Sequence, residues 1–204
     1  MNQSLVWNIA PFSSPGKDNF CYWENFLDDS DINYILSRPE WHVHKPAEIG
    51  NDENDQGQLN PEIRRTNVSW MFPDQNNKHI WEKMSHAIWQ ANRQFFQFDI
   101  RGCYEAAQLG AYSSEDQGHY GWHIDSGLET TNVPRKLSMA LLLSDPSEFE
   151  GGNLEVNVNG DPIAVEQKRG RAWFFPSWMI HRVTPVTKGI RRSLVLWMGG
   201  PAFV

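Results

Sequence analysis

The chain is poor in cysteine and has no long apolar run. Its two cysteines, Cys21 and Cys103, lie far apart and neither has a C-x-x-C partner, so a disulfide framework is not expected and both thiols should be reduced. The longest apolar runs, such as 139–143 and 194–198, are five residues long, well short of the roughly 18 residues that span a bilayer. An integral membrane protein is therefore not expected.

Basic residues are also scarce relative to acidic ones. The 18 Lys and Arg against 25 Asp and Glu give a formal net charge of -7, which opposes attraction to phosphate backbones and excludes nucleic acid as the expected partner. The segment Met1–Phe12 has neither the basic start nor the apolar stretch of a signal peptide. This predicts a cytoplasmic location.

What the chain does have is enough apolar surface for one folded unit. A length of 204 residues favours a single domain with short extensions. The hydrophobic fraction is 40%, with 11 Phe, 10 Trp and 5 Tyr, and side chains of this size support a core despite a mean hydropathy of -0.58. Disorder throughout the chain is therefore excluded.

The first hundred residues contain two helical patterns and a polar segment between them. Residues 27–37 predict a helix capped by Asp28 or Asp29, and residues 78–96 predict a second one capped by Asn76 or Asn77, with apolar side chains at spacings of three and four. Residues 45–62 are polar and show no periodicity, which predicts an exposed loop. Such a long loop is either a lid over a binding site or a segment without function.

From residue 101 onward the pattern changes to short strands. Segments with alternating or continuous apolar residues, separated by turn residues, cover 105–112, 119–125, 136–143, 153–158, 171–175, 181–183 and 192–198. Asn159-Gly160 is typical of a type I′ hairpin, and Gly151-Gly152 of a tight turn or bulge. The expected fold is α+β and mainly β, a jelly roll with the N-terminal helices packed on one face.

Two histidines and an aspartate form a candidate metal site. His123 and Asp125 lie two residues apart in a predicted strand, so their side chains point to the same face. His181 begins a later strand and can complete two imidazoles and one carboxylate on one side of a metal. This facial triad leaves coordination positions open, as in non-haem Fe(II) oxygenases, whereas a structural zinc site would be closed. In the alternative, His123 and Asp125 only hydrogen-bond in a polar strand.

An arginine and a serine downstream form a candidate carboxylate site. Arg191 and Ser193 are again two residues apart on one strand face, where a guanidinium and a hydroxyl can hold a carboxylate together. Arg191 taken alone is equally well read as a surface charge. The remaining histidines are weaker candidates, because His119 is surplus to a complete triad and His42 with His44 has no third ligand at a sensible spacing.

With these motifs in order, the sequence resembles the Fe(II)- and 2-oxoglutarate-dependent oxygenases, in their prolyl 4-hydroxylase-like (PKHD-type) branch. The matching segments are Tyr112, Gly118-His-Tyr-Gly-Trp-His-Ile-Asp125, Arg135-Lys-Leu-Ser-Met, Leu143-Ser-Asp-Pro, Phe149-Glu-Gly-Gly-Asn-Leu154, Phe174-Phe-Pro-Ser177 and the run from His181 to Arg191. Similarity is weaker in Ile63-Arg-Arg-Thr-Asn-Val-Ser-Trp70. The resemblance implies a distorted double-stranded β-helix formed by residues 101–204, with residues 1–100 packed on it as an extension.

The resemblance also implies a role for each site residue. His123, Asp125 and His181 would bind Fe(II), and Arg191 would pair with the distal carboxylate of 2-oxoglutarate, the cosubstrate used with O2. Hydrogen bonds to 2-oxoglutarate would come from Ser193 and Tyr112.

Three further residues bear on that pocket and on the outcome of the reaction. Trp197 would line the substrate pocket or serve as an ordinary core residue. One departure is that a tyrosine on the fourth strand of some relatives is replaced here within Ala140-Leu-Leu-Leu143, and Ser138 is a candidate substitute. A carboxylate at position 125 favours hydroxylation over halogenation.

The expected function is hydroxylation of an unactivated C–H bond, with release of succinate and CO2 and with ascorbate as a candidate reductant. The branch points to a prolyl residue in a peptide or protein, over which 45–62 and 126–134 would close. A free amino acid or small metabolite is the alternative substrate. A non-catalytic metal-binding jelly-roll module is the alternative function.

Overall fold

The computed structural model describes residues 20–51, 57–125 and 133–202. The segment Met1–Phe12, considered above for targeting, lies outside these residues, and so do residues 126–132 of the second segment expected to close over a substrate. None of the helices in the described part of the chain is both long and apolar enough to cross a lipid bilayer.

Both predicted helices are present. The helix α1 (Asp29–Leu36) begins at Asp28, whose carboxylate accepts a hydrogen bond from the Asp31 N–H, while the Asp31 carboxylate accepts one from the Asp28 N–H. This capping box satisfies two N–H groups that the first turn leaves unpaired. The helix α2 (Lys78–Ala91) begins after Asn77 and continues as a π-helical turn (Asn92–Phe96). Short 3₁₀ turns occupy Pro39–His42, Ser114–Asp116 and Pro146–Glu148.

In the described part of the chain, fifteen strands account for the rest of the regular structure. In chain order they are β1 (Cys21–Trp23), β2 (Lys45–Pro46), β3 (Ile49–Asn51), β4 (Gly57–Gln58), β5 (Arg64–Arg65), β6 (Asn67–Met71), β7 (Ala107–Ser113), β8 (His119–His123), β9 (Arg135–Leu142), β10 (Phe149–Gly151), β11 (Leu154–Val158), β12 (Asp161–Ala164), β13 (Ala172–Pro176), β14 (His181–Val183) and β15 (Val186–Gly199). The seven predicted strands are all found. The pattern missed β1 to β6 before residue 101, and it missed β10 and β12 after it.

The strands form two antiparallel sheets and a small hairpin. The larger sheet has the order β1-β13-β9-β15-β7-β6-β2, with β10 also paired to β15, and the smaller sheet has the order β12-β11-β14-β8-β5. Asn159 and Gly160 both have positive φ at the β11–β12 turn, as a type I′ turn requires. This arrangement is the mainly β jelly roll that the sequence predicts.

Each face of the larger sheet packs against a different partner. One face contacts the two helices through a buried cluster that contains Ile32, Ile35, Met84, Ile88, Leu109, Leu141, Phe174 and Leu194. The opposite face contributes Tyr112, Leu142 and Phe175 to a second cluster shared with Leu154, Val156 and Val183 of the smaller sheet. Side chains that point inward from the two sheets meet in the interior of the sandwich. A site can therefore form there.

The N-terminal region is part of both sheets rather than a separate layer. The strands β1, β2 and β6 belong to the larger sheet and β5 to the smaller one. The division of the chain at residue 101 into an extension and a β-helix core stays a prediction. The expectation of an exposed loop over 45–62 was too simple. Lys45–Pro46 pairs with β6, and Ile49–Asn51 pairs with Gly57–Gln58, so the described parts of the segment contain short strands.

Candidate active site

Two imidazoles face each other across the smaller sheet. His123 on β8 and His181 on β14 are register partners, and their ring centroids lie 4.1 Å apart. Asp125 follows two residues after His123, just beyond the end of β8. One ligand atom from each of the three residues lies within 4.8 Å of the others. The fold therefore brings together the three residues that the sequence predicted as metal ligands.

Backbone carbonyls fix which nitrogen of each imidazole is free. The Nδ1 of His123 contacts the Gly121 carbonyl oxygen, and the Nδ1 of His181 contacts the Met179 carbonyl oxygen, both at 2.8 Å. Because a carbonyl only accepts, each Nδ1 carries the proton and each Nε2 keeps its lone pair. The two Nε2 atoms lie 3.7 Å and 3.5 Å from the oxygens of Asp125. The lone pairs and the carboxylate thus converge on one point.

The carboxylate of Asp125 is buried and supported by its neighbours. Its backbone N–H donates to the Ser177 carbonyl oxygen at 2.7 Å, and its Oδ2 accepts from Ser138 Oγ at 2.8 Å. Burial alone would raise the pKa of Asp125, but the His181 side chain and the polar groups of Trp197 and Ser138 hold the pKa below its usual range. The indole N–H of Trp197 has no hydrogen bond of regular geometry among the described residues. Its effect on the pKa of Asp125 therefore comes from its proximity to the carboxylate. Asp125 is consequently an anion despite its 7% exposure.

The imidazole of His123 is held neutral. Burial lowers its pKa to about 3, His181 adds to the lowering, and Asp125 opposes it. The ring is also stacked on Tyr120, with centroids 3.5 Å apart and an interplanar angle of 15°. A neutral, oriented imidazole is the form that ligates metals.

The donor set fits a divalent transition metal with open positions. Two imidazole nitrogens and one carboxylate oxygen on one side of a cavity form the facial triad that suits non-haem Fe(II). A closed structural zinc site would need a fourth ligand, and within the described residues the cluster contains only His123, Asp125 and His181. The residues present therefore fit a resident Fe(II) ion.

Among the residues that the structure describes, Arg191 is a buried cation without an anionic partner. It is 5% exposed, and its Nε has no hydrogen-bond partner among the described residues. Its guanidinium lies 5.4 Å from the ring centroid of Tyr112, its register partner on β7. Burial lowers the pKa of Arg191, and a buried charge of this kind is stable only when a counter-ion arrives. The unpaired guanidinium marks a place for a carboxylate.

A glycine makes room for the arginine side chain. Gly152 has φ +57°, and a Cβ placed on it would lie 2.8 Å from Cδ of Arg191 and 2.9 Å from Cγ2 of Val186. The β10–β15 register shifts between Glu150 and Gly151, so an irregularity of the predicted kind is present and Gly152 directly follows it. The sequence did not reveal that Gly152 also borders Arg191.

A cavity of about 360 Å³ joins the metal cluster to the arginine. Its walls include all seven predicted site residues, namely Tyr112, His123, Asp125, His181, Arg191, Ser193 and Trp197. Ala140, from the stretch that replaces the tyrosine of some relatives, lines it too. Ser138 does not, because its hydroxyl donates to Asp125 and contacts Ser177 Oγ at 3.0 Å. Ser138 therefore supports a metal ligand rather than standing in for the missing tyrosine.

The other end of the cavity contains residues that the sequence did not single out. Trp70 and Trp197 have ring centroids 6.2 Å apart, and the Arg135 guanidinium lies 3.9 Å from the Trp197 centroid. Glu105 accepts two hydrogen bonds from Arg135, one of them from Nε at 2.6 Å. Arg64 lies at this end as well. The only earlier signal for Arg64 and Trp70 was the weak similarity over residues 63–70.

The weaker candidates stay outside the site. His119 contacts the carbonyl oxygens of Gln117 and Glu62, and His44 contacts that of Trp41. Neither they nor His42 belong to the metal cluster. By contrast, residues 48–50 of the polar segment line the cavity, which is consistent with the lid hypothesis.

Comparisons with known proteins agree with this geometry. Residues 107–199 match the model of the 2OG-Fe(II) oxygenase superfamily. A PKHD-type hydroxylase of Colwellia psychrerythraea is 31% identical over 138 residues, which are 66% of this chain and 60% of that protein. The chain spans 38% of the length of two further PKHD-type relatives.

Solved structures share the fold at low sequence identity. A Pseudomonas putida prolyl-4-hydroxylase gives a TM-score of 0.68 at 19% identity, covering 91% of this chain and 95% of that one. A prolyl hydroxylase from Trichoplax adhaerens, in complex with a hypoxia inducible factor peptide fragment, gives 0.70 at 18% identity, covering 90% and 84%. The family match contains the whole metal cluster and Arg191, so these residues lie in the part of the chain that is similar to the 2OG-Fe(II) oxygenase superfamily.

Proposed function

We propose that this protein is an Fe(II)- and 2-oxoglutarate-dependent dioxygenase that hydroxylates a prolyl residue in a peptide or protein. The observation that carries the proposal is the placement of His123, Asp125 and His181 in one cavity with the unpaired, buried guanidinium of Arg191. A dicarboxylate that chelates a metal needs a metal site and a cation for its second carboxylate, and this cavity contains both.

The bound group supplies the oxidative chemistry and the chain supplies geometry. When bound, Fe(II) with 2-oxoglutarate activates O2, so that the keto acid becomes succinate and CO2 while a C–H bond of the substrate becomes C–OH. His123 and His181 would present Nε2 to the metal, and Asp125 would present a carboxylate oxygen. Ser138 would hold that carboxylate in place, since partners of this kind orient metal ligands.

Arg191 would hold the distal carboxylate of 2-oxoglutarate. Its burial makes the ion pair strong, because charges attract more in an environment with little water. Ser193 and Tyr112 line the same part of the cavity and would donate hydroxyl hydrogen bonds to the cosubstrate. Filling this end of the cavity also displaces water from the reacting centre.

The prolyl substrate is supported by the relatives and by the shape of the cavity. Both solved neighbours are prolyl hydroxylases by their descriptions, and one holds a peptide fragment. Trp197 and Trp70 provide an apolar wall beside the metal cluster, where a pyrrolidine ring would pack. Ascorbate as reductant and the cytoplasmic location stay predictions.

An anaerobic titration of the metal-free protein with Fe(II) and then 2-oxoglutarate tests the proposal without a known substrate. A visible metal-to-ligand charge-transfer band is expected in the wild type and should be lost in Asp125→Ala. Proline-containing peptides would then be screened by succinate release. Bound iron without a band would refute the cosubstrate site and favour a non-catalytic metal-binding jelly-roll module.

A further inference from the structure

Arg64 has no role in the chemistry described so far, although it lines the same cavity. Its Nη2 donates to Oε1 of Gln108 at 2.8 Å, and its Nε is buried without a hydrogen-bond partner. No carboxylate of the described residues forms an ion pair with it. A neutral amide oxygen orients the guanidinium but leaves its charge uncompensated.

The other charges of the cavity are matched once the cosubstrate is present. Arg135 is paired with Glu105, and Arg191 would be paired with 2-oxoglutarate. Glu48, the remaining acid of the lining, is exposed and makes no ion pair with Arg64 in the described part of the chain. Among the cavity cations described, Arg64 is thus the one left for another anion.

The two unpaired arginines lie at opposite ends of the inner face of β7. Arg191 is the register partner of Tyr112, whereas Arg64 is hydrogen-bonded to Gln108. Tyr112 and Gln108 are four positions apart, which is roughly 13 Å along a strand. The two guanidinium groups are thus anchored at opposite ends of this face, and a cosubstrate paired with Arg191 leaves Arg64 for another anion.

Arg64 is nevertheless close to the reacting centre. Its guanidinium lies 4.3 Å from the ring centroid of Tyr120, and the ring of His123 lies 3.5 Å from the same centroid. Two groups this close to one ring must occupy opposite faces, so a single aromatic layer separates Arg64 from a metal ligand. At the same end of β7, Trp70 and Val195 are the register partners of Gln108. An anion bound to Arg64 would thus lie beside the apolar wall proposed for the substrate.

From this placement we infer that Arg64, oriented by Gln108, binds a carboxylate of the substrate, so that the preferred substrate is a prolyl compound with a carboxylate close to the hydroxylated ring. The inference rests on the proposed function and adds the charge of the substrate to it. The carboxylate has three possible sources: the proline itself as a free or C-terminal residue, the C-terminus one residue later, or an acidic side chain that follows the proline. All three present the same planar anion to the guanidinium fork.

The test uses probes that differ only in charge. The full chain is loaded anaerobically with Mn(II), which accepts the same ligand set, and with saturating 2-oxoglutarate. Paramagnetic relaxation of probe protons then reports binding near the metal. Three pairs separate the three sources: acetyl-proline and acetyl-prolinamide, acetyl-Pro-Gly and its amide, and acetyl-Pro-Asp-amide and acetyl-Pro-Asn-amide.

The expected result is that the carboxylate member of at least one pair binds about tenfold or more tightly, as a charge-assisted hydrogen bond provides. This preference should disappear in Arg64→Gln. The matched control is Arg65→Gln, because Arg65 contacts the carbonyl oxygens of Pro61 and Asp116 and does not line the cavity. Arg64→Lys retains the positive charge but lacks the planar guanidinium, so it should reduce the preference for the carboxylate member of the pair. This second variant keeps the test possible if Arg64→Gln does not fold.

Each way of failing points to a different error. If Mn(II) or 2-oxoglutarate does not bind, the proposed function itself is wrong. If Mn(II) and 2-oxoglutarate bind but the two members of every probe pair bind equally well, or neither member binds, the role assigned to Arg64 is wrong. A preference that survives both Arg64 variants, or that is lost equally in Arg65→Gln, overturns the inference as well.

Discussion

Replacing Gly152 by alanine should weaken 2-oxoglutarate binding through the side chain of Arg191. The added methyl would lie 2.8 Å from Arg191 Cδ and 2.9 Å from Val186 Cγ2, and both neighbours belong to β15. Arg191 is buried and lines the cavity, so the added methyl would push its side chain toward the space in which the cosubstrate is proposed to bind. The guanidinium must therefore shift relative to the carboxylate it is proposed to hold.

Two contributions set the size of the effect on stability. A non-glycine residue at the left-handed φ of +57° costs roughly 1–2 kcal/mol, and overpacking a buried contact adds about 1–3 kcal/mol. We expect the free energy of unfolding to fall by about 2–5 kcal/mol. For the ligand, loss of a well-placed charge-assisted hydrogen bond, about 1.5–3 kcal/mol, predicts an affinity for 2-oxoglutarate that is roughly 10- to 100-fold lower. Metal affinity should change little, because Gly152 contacts none of the three metal ligands.

Gly160→Ala is the matched control for backbone strain. Gly160 also has positive φ, +99°, but nothing lies within 4 Å of an added Cβ. It should lose stability without losing affinity for 2-oxoglutarate. Calorimetric titration of the Mn(II)-loaded variants and thermal unfolding measure both quantities. Unchanged 2-oxoglutarate affinity in Gly152→Ala, or an equal loss in Gly160→Ala, would refute the argument that Gly152 positions Arg191.

Three further predictions follow from the charges and hydrogen bonds of the site. Arg191→Met should abolish measurable 2-oxoglutarate binding. It should leave the ligand-free protein at least as stable, because no described partner loses a hydrogen bond. A decrease of more than about 2 kcal/mol in the free energy of unfolding, measured by chemical denaturation, would contradict this. Arg135→Met should instead lower stability by about 2 kcal/mol, since it leaves the carboxylate of Glu105 unpaired in a mostly buried position, and an unchanged denaturation midpoint would show that the pair contributes nothing. Ser138→Ala should lower the affinity for Mn(II) about tenfold, because Asp125 loses the hydrogen bond that holds it. Ser193→Ala should lower the affinity for 2-oxoglutarate and not that for the metal. The reverse pattern in titrations would show that the two serines are wrongly assigned.

The local pattern of the sequence was sufficient for the elements and for the direction of their side chains. Period-two alternation placed Arg191, Ser193 and Trp197 on one face of one strand, and all three line the cavity. The spacing of Ile80, Met84, Ala87, Ile88 and Ala91 identified the buried face of α2. These features are decided by sterics between near neighbours in the chain, and any strand or helix of that sequence shares them.

The sequence by itself therefore determined the candidate metal ligands, the arginine proposed for the cosubstrate and a mainly β fold. Only the tertiary structure decided which groups meet them. It set Gly152 against Arg191, gave the Ser138 hydroxyl to Asp125, and laid Arg64 over the ring that stacks on His123. Such pairings depend on which distant strands become neighbours and in which register, and a one-residue change in register would turn each of these side chains to the opposite face.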